Sequence, residues 1–475
     1  MSIYSPAPPR APETSPPAAT PAPSPSPSAA PSADAGTPAS PAQRISRAWD
    51  AEPWAAAGVW PARWPVASGL SDDQPTAPAA PGLIIPVSGP LGAMRISTRD
   101  NLAVLAEQQH DTALMMSKHI GALGKRRVQF EREDAGSYIF LSVPDSPNAA
   151  KIKIPAAFYL KFISGREVAR SAIPPQKQLG AEDAANPTRF VQLQRTWFVY
   201  YDPEASAAPG DQPKGVLVLM PGIFGTPDDA ILPIVKIMRM RGWGVLRMLA
   251  QPSRFTETVT VSVGPADDLD AKAAQAADIL TGRAAECAYA VEGAMKYLAQ
   301  ERPGAAAAPT CLLGMSGGAI TLPTVLARAP ERFQSAVAIA GGSDYLRITL
   351  DSNYTEMINA AHVDLDRALT PAQRENFFAA YRAHAPLDTI FTARALKYLP
   401  TLMIHGTVDK AVPAARGDEF WTLAGKPERW TFDLGHELLF MTVSYRASKI
   451  ADWIEAHTNL GPAAPAPPAP PGAAP

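Results

Sequence analysis

Hydrophobic positions change their period along this chain, and the changes set out an order of elements. From about Phe190 onward, short apolar runs alternate with stretches in which apolar residues recur every three to four positions. That alternation predicts strands and helices in turn, the pattern of a mostly parallel sheet covered on both faces. Strands are predicted at Trp197–Tyr201, Gly215–Met220, Gly244–Leu249, Thr310–Leu313, Ser335–Ala340, Thr401–His405 and Arg429–Asp433. Helices are predicted over Asp228–Arg241, Ala271–Gln300 (as one helix or two), Gly318–Arg328, Ala414–Leu423 and Tyr445–His457. Residues 344–396 read as helical and polar, an insertion lying over the sheet as a lid. The α/β pattern as a whole spans residues 190–460.

Upstream, residues 45–189 read as an α+β extension of unassigned role. Ser97 or Thr98 can cap a helix running from Asn101 to Leu123 and stopping near Gly124. Alternating strands follow around Val128–Val143 and Lys151–Ile163. Four tryptophans come before them, Trp49, Trp54, Trp60 and Trp64. An arm packed on the main domain is the commoner explanation of such a group, and a sugar-stacking surface the rarer one.

Composition changes the picture at the two ends. Residues 1–44 and 461–475 are almost entirely Pro, Ala, Ser and Thr, which bury too little apolar surface to offset chain entropy. A disordered leader and tail are expected there. Lys and Arg number 43 against 45 Asp and Glu, with no basic stripe carrying aromatics, so nucleic acid is not an expected partner. Two cysteines, Cys287 and Cys311, supply neither a disulfide framework nor a metal cluster. No apolar run reaches the roughly 18 residues a membrane-spanning helix needs. The N-terminus also lacks the apolar region of a secretory signal. Taken as it stands, the chain is expected in the cytoplasm; a true N-terminus further upstream would open the cell envelope or secretion instead. Oligomeric state is not legible.

The chemistry is carried by three short stretches. The apolar run PTCLL leads into Gly314-Met315-Ser316-Gly317-Gly318 and then into a helix-like segment. This is G-x-S-x-G in strand-turn-helix context, where a tight turn lifts the serine hydroxyl clear of the sheet and Gly314 and Gly318 allow helix and strand to approach. A serine hydroxyl is a poor nucleophile near neutral pH and needs a base, itself held in one tautomer by a carboxylate. Downstream, LPTLMIHGTVDKAVP places Asp409 just past a strand, and RWTFDLGHELLF places His436 just past the last one. Catalytic groups collect at the carboxyl ends of parallel strands, so Ser316, His436 and Asp409 are the expected nucleophile, base and orienting acid. Asp344, after the preceding strand, is the rival acid, and Asp409 is preferred. His405 lies on a strand and reads as a structural hydrogen bonder. For the oxyanion formed when the serine attacks, the expected donors are the amides of Gly317 and of Ile223, the latter in the turn Pro221-Gly222-Ile223-Phe224-Gly225 after an apolar strand.

With these motifs in place, the chain from about Phe190 to Leu460 resembles the α/β-hydrolase superfamily, in its broad esterase and lipase branch. The resemblance implies that fold, and implies catalytic roles for the serine after the fifth strand, the acid after the seventh and the histidine after the eighth. These fall on Ser316, Asp409 and His436. Where relatives commonly carry His-Gly in the oxyanion loop, this chain has Pro221-Gly222. The expected activity is hydrolysis of a carboxylic ester through an acyl-serine intermediate on a small-molecule acyl substrate. A thioesterase, a peptidase or amidase, or an acyltransferase with the same triad are the alternatives, and a non-catalytic binding module a more distant one. No cofactor and no metal are expected.

Overall fold

The computed structural model describes residues 154–458 apart from 155–156, 169–181, 184–185, 188, 205–211, 224–225, 227, 250–259 and 354–361, with the strand segments 84–87, 95–98, 128–133 and 136–141. The tryptophan arm, the helix expected from Asn101 to Leu123, the leader and the tail lie outside the described residues.

A ten-stranded sheet organises the described molecule. Its strands are β1 (Ile84–Val87), β2 (Arg95–Thr98), β3 (Phe158–Val168), β4 (Arg189–Tyr201), β5 (Gly215–Met220), β6 (Trp243–Leu249), β7 (Thr310–Met315), β8 (Ser335–Ile339), β9 (Thr401–Gly406) and β10 (Glu428–Phe432). Their spatial order is β10-β9-β8-β7-β5-β6-β4-β3-β2, and β1 pairs with the start of β4. The six from β10 to β6 are parallel. The remaining pairings are antiparallel, with β4 lying against β6 (Tyr200 opposite Leu246) and β3 running beside β4 from Phe158 opposite Tyr200 to Val168 opposite Phe190. Seven of these strands fall on the positions the apolar runs predict. The antiparallel border strands carry the sheet further toward the N-terminus than residue 190.

Helices cover both faces, which is why the inner strands are apolar throughout and not alternating. Val216, Val218 and Met220 of β5 join a core with helices α2 (Leu269–Glu301) and α3 (Gly317–Arg328). Leu217 and Leu219, pointing the other way, join a second core with α1 (Asp228–Met240) and α7 (His436–His457). The long α2 is a single helix, capped by the Asp268 carboxylate on the amides of Asp270 and Ala271.

Two expectations change. The last helix begins at His436 and not at Tyr445, because Leu439, Val443, Ala447, Ile450 and Ile454 bury one continuous stripe three to four residues apart. The insertion is not wholly helical: beside α4 (Tyr345–Asp351), α5 (Pro371–His384) and α6 (Thr389–Thr392) it holds a strand, His362–Leu365, paired in parallel with Thr260–Val263 off the main sheet. A third core joins this pair, α4 and α5 to the N-terminal half of α2 through Val261, Val363, Phe377, Tyr381 and Ala277. The insertion therefore has its own apolar anchor. The alternating strands expected around Val128–Val143 and Lys151–Ile163 are present, as a hairpin of Val128–Glu133 with Gly136–Leu141 and as β3.

Candidate active site

Ser316 sits between the last residue of β7 and the first of α3, with φ 51 and ψ −118. A left-handed φ on a residue with a Cβ costs on the order of 1–3 kcal/mol and persists only where the surroundings impose it. The surroundings do so through hydrogen bonds and close packing. The Ser316 amide donates to the Ile339 carbonyl of β8 at 2.8 Å, and the Gly318 amide donates to the Pro221 carbonyl at 2.9 Å. A Cβ on Gly314 would collide with the Gly318 carbonyl, and one on Gly318 would lie 2.5 Å from the Met220 carbonyl oxygen and 2.6 Å from that of Pro221. Both elbow glycines are thus required by backbone that cannot yield. Gly318→Ala should destabilise the protein by about 1–3 kcal/mol, as overpacked sites do. A chemical denaturation midpoint equal to that of the parent protein would contradict this packing.

Residues far apart in sequence meet at the Ser316 hydroxyl. His436 Nε2 lies 2.9 Å from Ser316 Oγ, and His436 Nδ1 lies 2.7 Å from Asp409 Oδ2. The other Asp409 oxygen accepts from the amides of Ala411 and Val412, each at 2.9 Å. Those two amides, and the Phe440 ring packed edge-on against His436 with centroids 4.9 Å apart, were not anticipated from sequence. Phe440 is one turn beyond His436, so a correct helix start would have revealed it.

Asp344, the rival acid, is elsewhere engaged. It caps α4 by accepting from the Arg347 amide at 3.0 Å and faces Arg382 at 3.8 Å. His405 is buried, and its Nε2 has no partner among the described residues. The hydrogen bond expected of it is therefore absent at that nitrogen, and Gly417 passes so close that any Cβ there would strike the ring. Burial and then Arg429 lower its pKa, so it packs as a neutral ring.

Ile223 and Gly317 adjoin one another beside the serine: a Cβ built on Gly317 would lie 2.9 Å from the Ile223 nitrogen. The neighbouring Gly222 amide is taken by Thr226 Oγ1 at 2.9 Å and that of Gly318 by Pro221. As the first residue of α3, Gly317 has an amide that the helix itself does not use. Among the described residues no group of His, Cys, Asp and Glu is arranged to hold a metal, and no helix is long and apolar enough to cross a membrane.

Burial alone disfavours a charged His436, but the charge and hydrogen bond of Asp409, with Glu437 beside them, more than offset it and raise the pKa above the ordinary 6.5. The sign has two consequences. A base must be neutral to accept a proton, so any activity depending on His436 should be lost as pH falls through a midpoint above 6.5. The stabilisation from the same raised pKa runs the other way, present below 6.5 and lost as pH rises through the folded value. Glu437→Gln should move the acidic limb of kcat/KM downward by less than about one pH unit. An unmoved or raised limb would remove Glu437 from this account.

The model of the prolyl oligopeptidase family matches residues 287–433, a stretch that holds Ser316 and Asp409 and ends just before His436. Nothing among curated protein sequences matches the chain at a significant level. Among solved structures the chain is similar to the esterase Pf2001 of Pyrococcus furiosus, at 13% identity over 57% of this chain and 88% of that one, with a TM-score of 0.35. It is similar to the acylaminoacyl peptidase of Pyrococcus horikoshii at 13% identity, covering 70% of this chain and 50% of that one, with a TM-score of 0.39. For Est1E of Butyrivibrio proteoclasticus the identity is 14%, the coverage 55% and 96%, and the TM-score 0.35. With its doubly covered, mostly parallel sheet and the serine elbow between β7 and α3, this chain is thus similar over residues 287–433 to the prolyl oligopeptidase family of serine hydrolases.

Proposed function

We propose that the protein hydrolyses a small-molecule carboxylic ester through an acyl-serine intermediate, with Ser316 as nucleophile, His436 as base and Asp409 as the acid that orients it. The observation carrying this reading is the continuous line of contacts from Ser316 Oγ to His436 at 2.9 Å and from His436 to Asp409 at 2.7 Å. His436 Nε2 takes the hydroxyl proton as Ser316 Oγ bonds to the acyl carbon. The charge that develops on the carbonyl oxygen is received by the amides of Ile223 and Gly317. His436 returns the proton to the departing alcohol as the ester C–O bond breaks, then activates a water that releases the acid and frees the serine. Asp409 holds Nδ1–H throughout, which keeps Nε2 available as acceptor.

One observation favours a second reading with the same residues. The match to a family named for oligopeptide cleavage makes a peptidase or amidase the alternative, since the acyl-serine step does not depend on whether an alcohol or an amine leaves. A fluorophosphonate probe tests the class, and a panel of short- and long-chain esters, thioesters, aminoacyl amides and peptides tests the substrate. Ester turnover well above that of the matched amide supports the proposal; efficient peptide cleavage with poor ester turnover would replace it with the second reading. Failure of the probe to label the protein would remove both.

A further inference from the structure

Asp388 is a fully buried carboxyl that this reaction does not use. It stands at the start of α6 in the insertion and forms no ion pair with any described residue. Its Oδ2 accepts from the Tyr345 amide at 3.0 Å and from the Tyr381 hydroxyl at 2.7 Å, and its Oδ1 accepts from the Ile390 amide at 3.0 Å. One carboxyl therefore ties together α4, α5 and α6. Such a group is costly to bury unless its lone pairs are satisfied, and here each oxygen is.

The residues it ties grip the helix that carries Ser316. The Tyr345 hydroxyl donates to the Ile320 carbonyl at 3.2 Å, and Thr389 Oγ1 donates to the same oxygen at 3.1 Å. Thr324 Oγ1 donates back to the Leu387 carbonyl at 3.1 Å. These contacts fall where α3 is intrinsically weakest, because Pro323 lacks the N–H that would bond Ala319 and its ring presses on that turn. The same residue reaches the elbow: the Ile320 amide donates to the Ser316 carbonyl at 2.9 Å. Asp388 thus reaches Ser316 through Tyr345 and the single residue Ile320.

We propose that Asp388 is a positioning residue, which through Tyr345 and Thr389 holds the Ile320 carbonyl, and with it the first turn of the Ser316 helix, against the insertion. The proposal rests on the reading of Ser316 as nucleophile. The groups around the carboxyl give it a signature in pH. Tyr381 faces it from α5 and Tyr345 from α4. Asp344 lies at the cap of α4 with Arg382 behind it, and Cys287 of α2 lies beyond Tyr345. Burial, then the charge of Asp344, push Asp388 up to about 7. Below that pH it is neutral, as an asparagine is at every pH.

The test uses the full chain, a p-nitrophenyl ester and temperatures well below melting. Tyr345→Phe keeps the ring and removes only the hydroxyl on Ile320; it should lower kcat about three- to tenfold, within the range of couplings carried by packed networks, with KM changed less. Asp388→Asn should match the parent kcat below pH 7 and fall behind above it, because only the parent then carries the charge that draws in its three donors. Lower melting temperatures in both variants, with kcat and its pH profile unchanged, would overturn the proposal and leave Asp388 as core structure only. Turnover surviving Ser316→Ala would instead strike the nucleophile reading. In that event hydrogen exchange at the Ile320 amide still decides the clamp: faster exchange in Tyr345→Phe supports it and unchanged exchange overturns it.

Discussion

Ser316→Ala is expected to lower ester turnover by about a million-fold and to abolish fluorophosphonate labelling, while the melting curve stays where it was. The large number follows from the removal of the only atom that bonds to the acyl carbon. On the proposed mechanism the amides of Ile223 and Gly317 remain as oxyanion donors, and the residual rate above the uncatalysed one is then typically about 10³–10⁴. The unchanged stability follows from where the hydroxyl is. It faces His436 in the turn and fills no core, and alanine meets the same left-handed backbone as serine does. Turnover within tenfold of the parent protein would exclude Ser316 as nucleophile.

Asp409→Asn should cost about four powers of ten in kcat, through the tautomer of a histidine it leaves in place. Asp409 offers two oxygens, one to the amides of Ala411 and Val412 and one to His436 Nδ1. Asparagine has a single oxygen. Two N–H donors on the Ala411 side hold that oxygen there, which turns the NH₂ toward Nδ1. The ring must then accept at Nδ1 and carry its proton on Nε2, where it can no longer take one from Ser316. Asp344→Asn, by contrast, keeps an oxygen for the Arg347 amide, loses an ion pair with the half-exposed Arg382 and touches neither Ser316 nor His436, so turnover should stay within a few-fold. Should Asp344→Asn be the crippled variant and Asp409→Asn the active one, the acid would be Asp344.

Much of this site was legible before any fold was known. Each candidate follows an apolar run, and strands of a parallel sheet deliver their carboxyl ends to one edge, so the order serine, acid, histidine already implied a meeting point. Gly314 and Gly318 were legible for a related reason: a strand that turns at once into a helix leaves no room for a Cβ, and the Met220, Pro221 and Gly318 carbonyls occupy that room. The start of the last helix at His436 was less legible, because Thr442 and Val443 lose rotamer freedom in a helix and weaken the local signal ahead of Tyr445. The buried stripe from Leu439 to Ile454 overrides that preference once α7 packs on the sheet.

By itself, then, the sequence determined what local forces determine: the period of each element, the turns that need glycine, and the chemical kinds of residue placed after each strand. The tertiary structure decided what depends on contacts between distant positions. Ser316 and His436 are separated by 120 residues and Asp409 and His436 by 27, and which carboxylate reaches the imidazole depends on how the crossover helices set the strands side by side. Periodicity could not show β3 joining the sheet along β4, nor Thr260–Val263 pairing with His362–Leu365, because a ladder's partner is chosen by packing and not by the strand's own pattern. The same holds for Asp388. In the sequence it is one aspartate in a polar insertion; only the docking of α4, α5 and α6 on the Ser316 helix takes it out of water and gives each of its oxygens a donor.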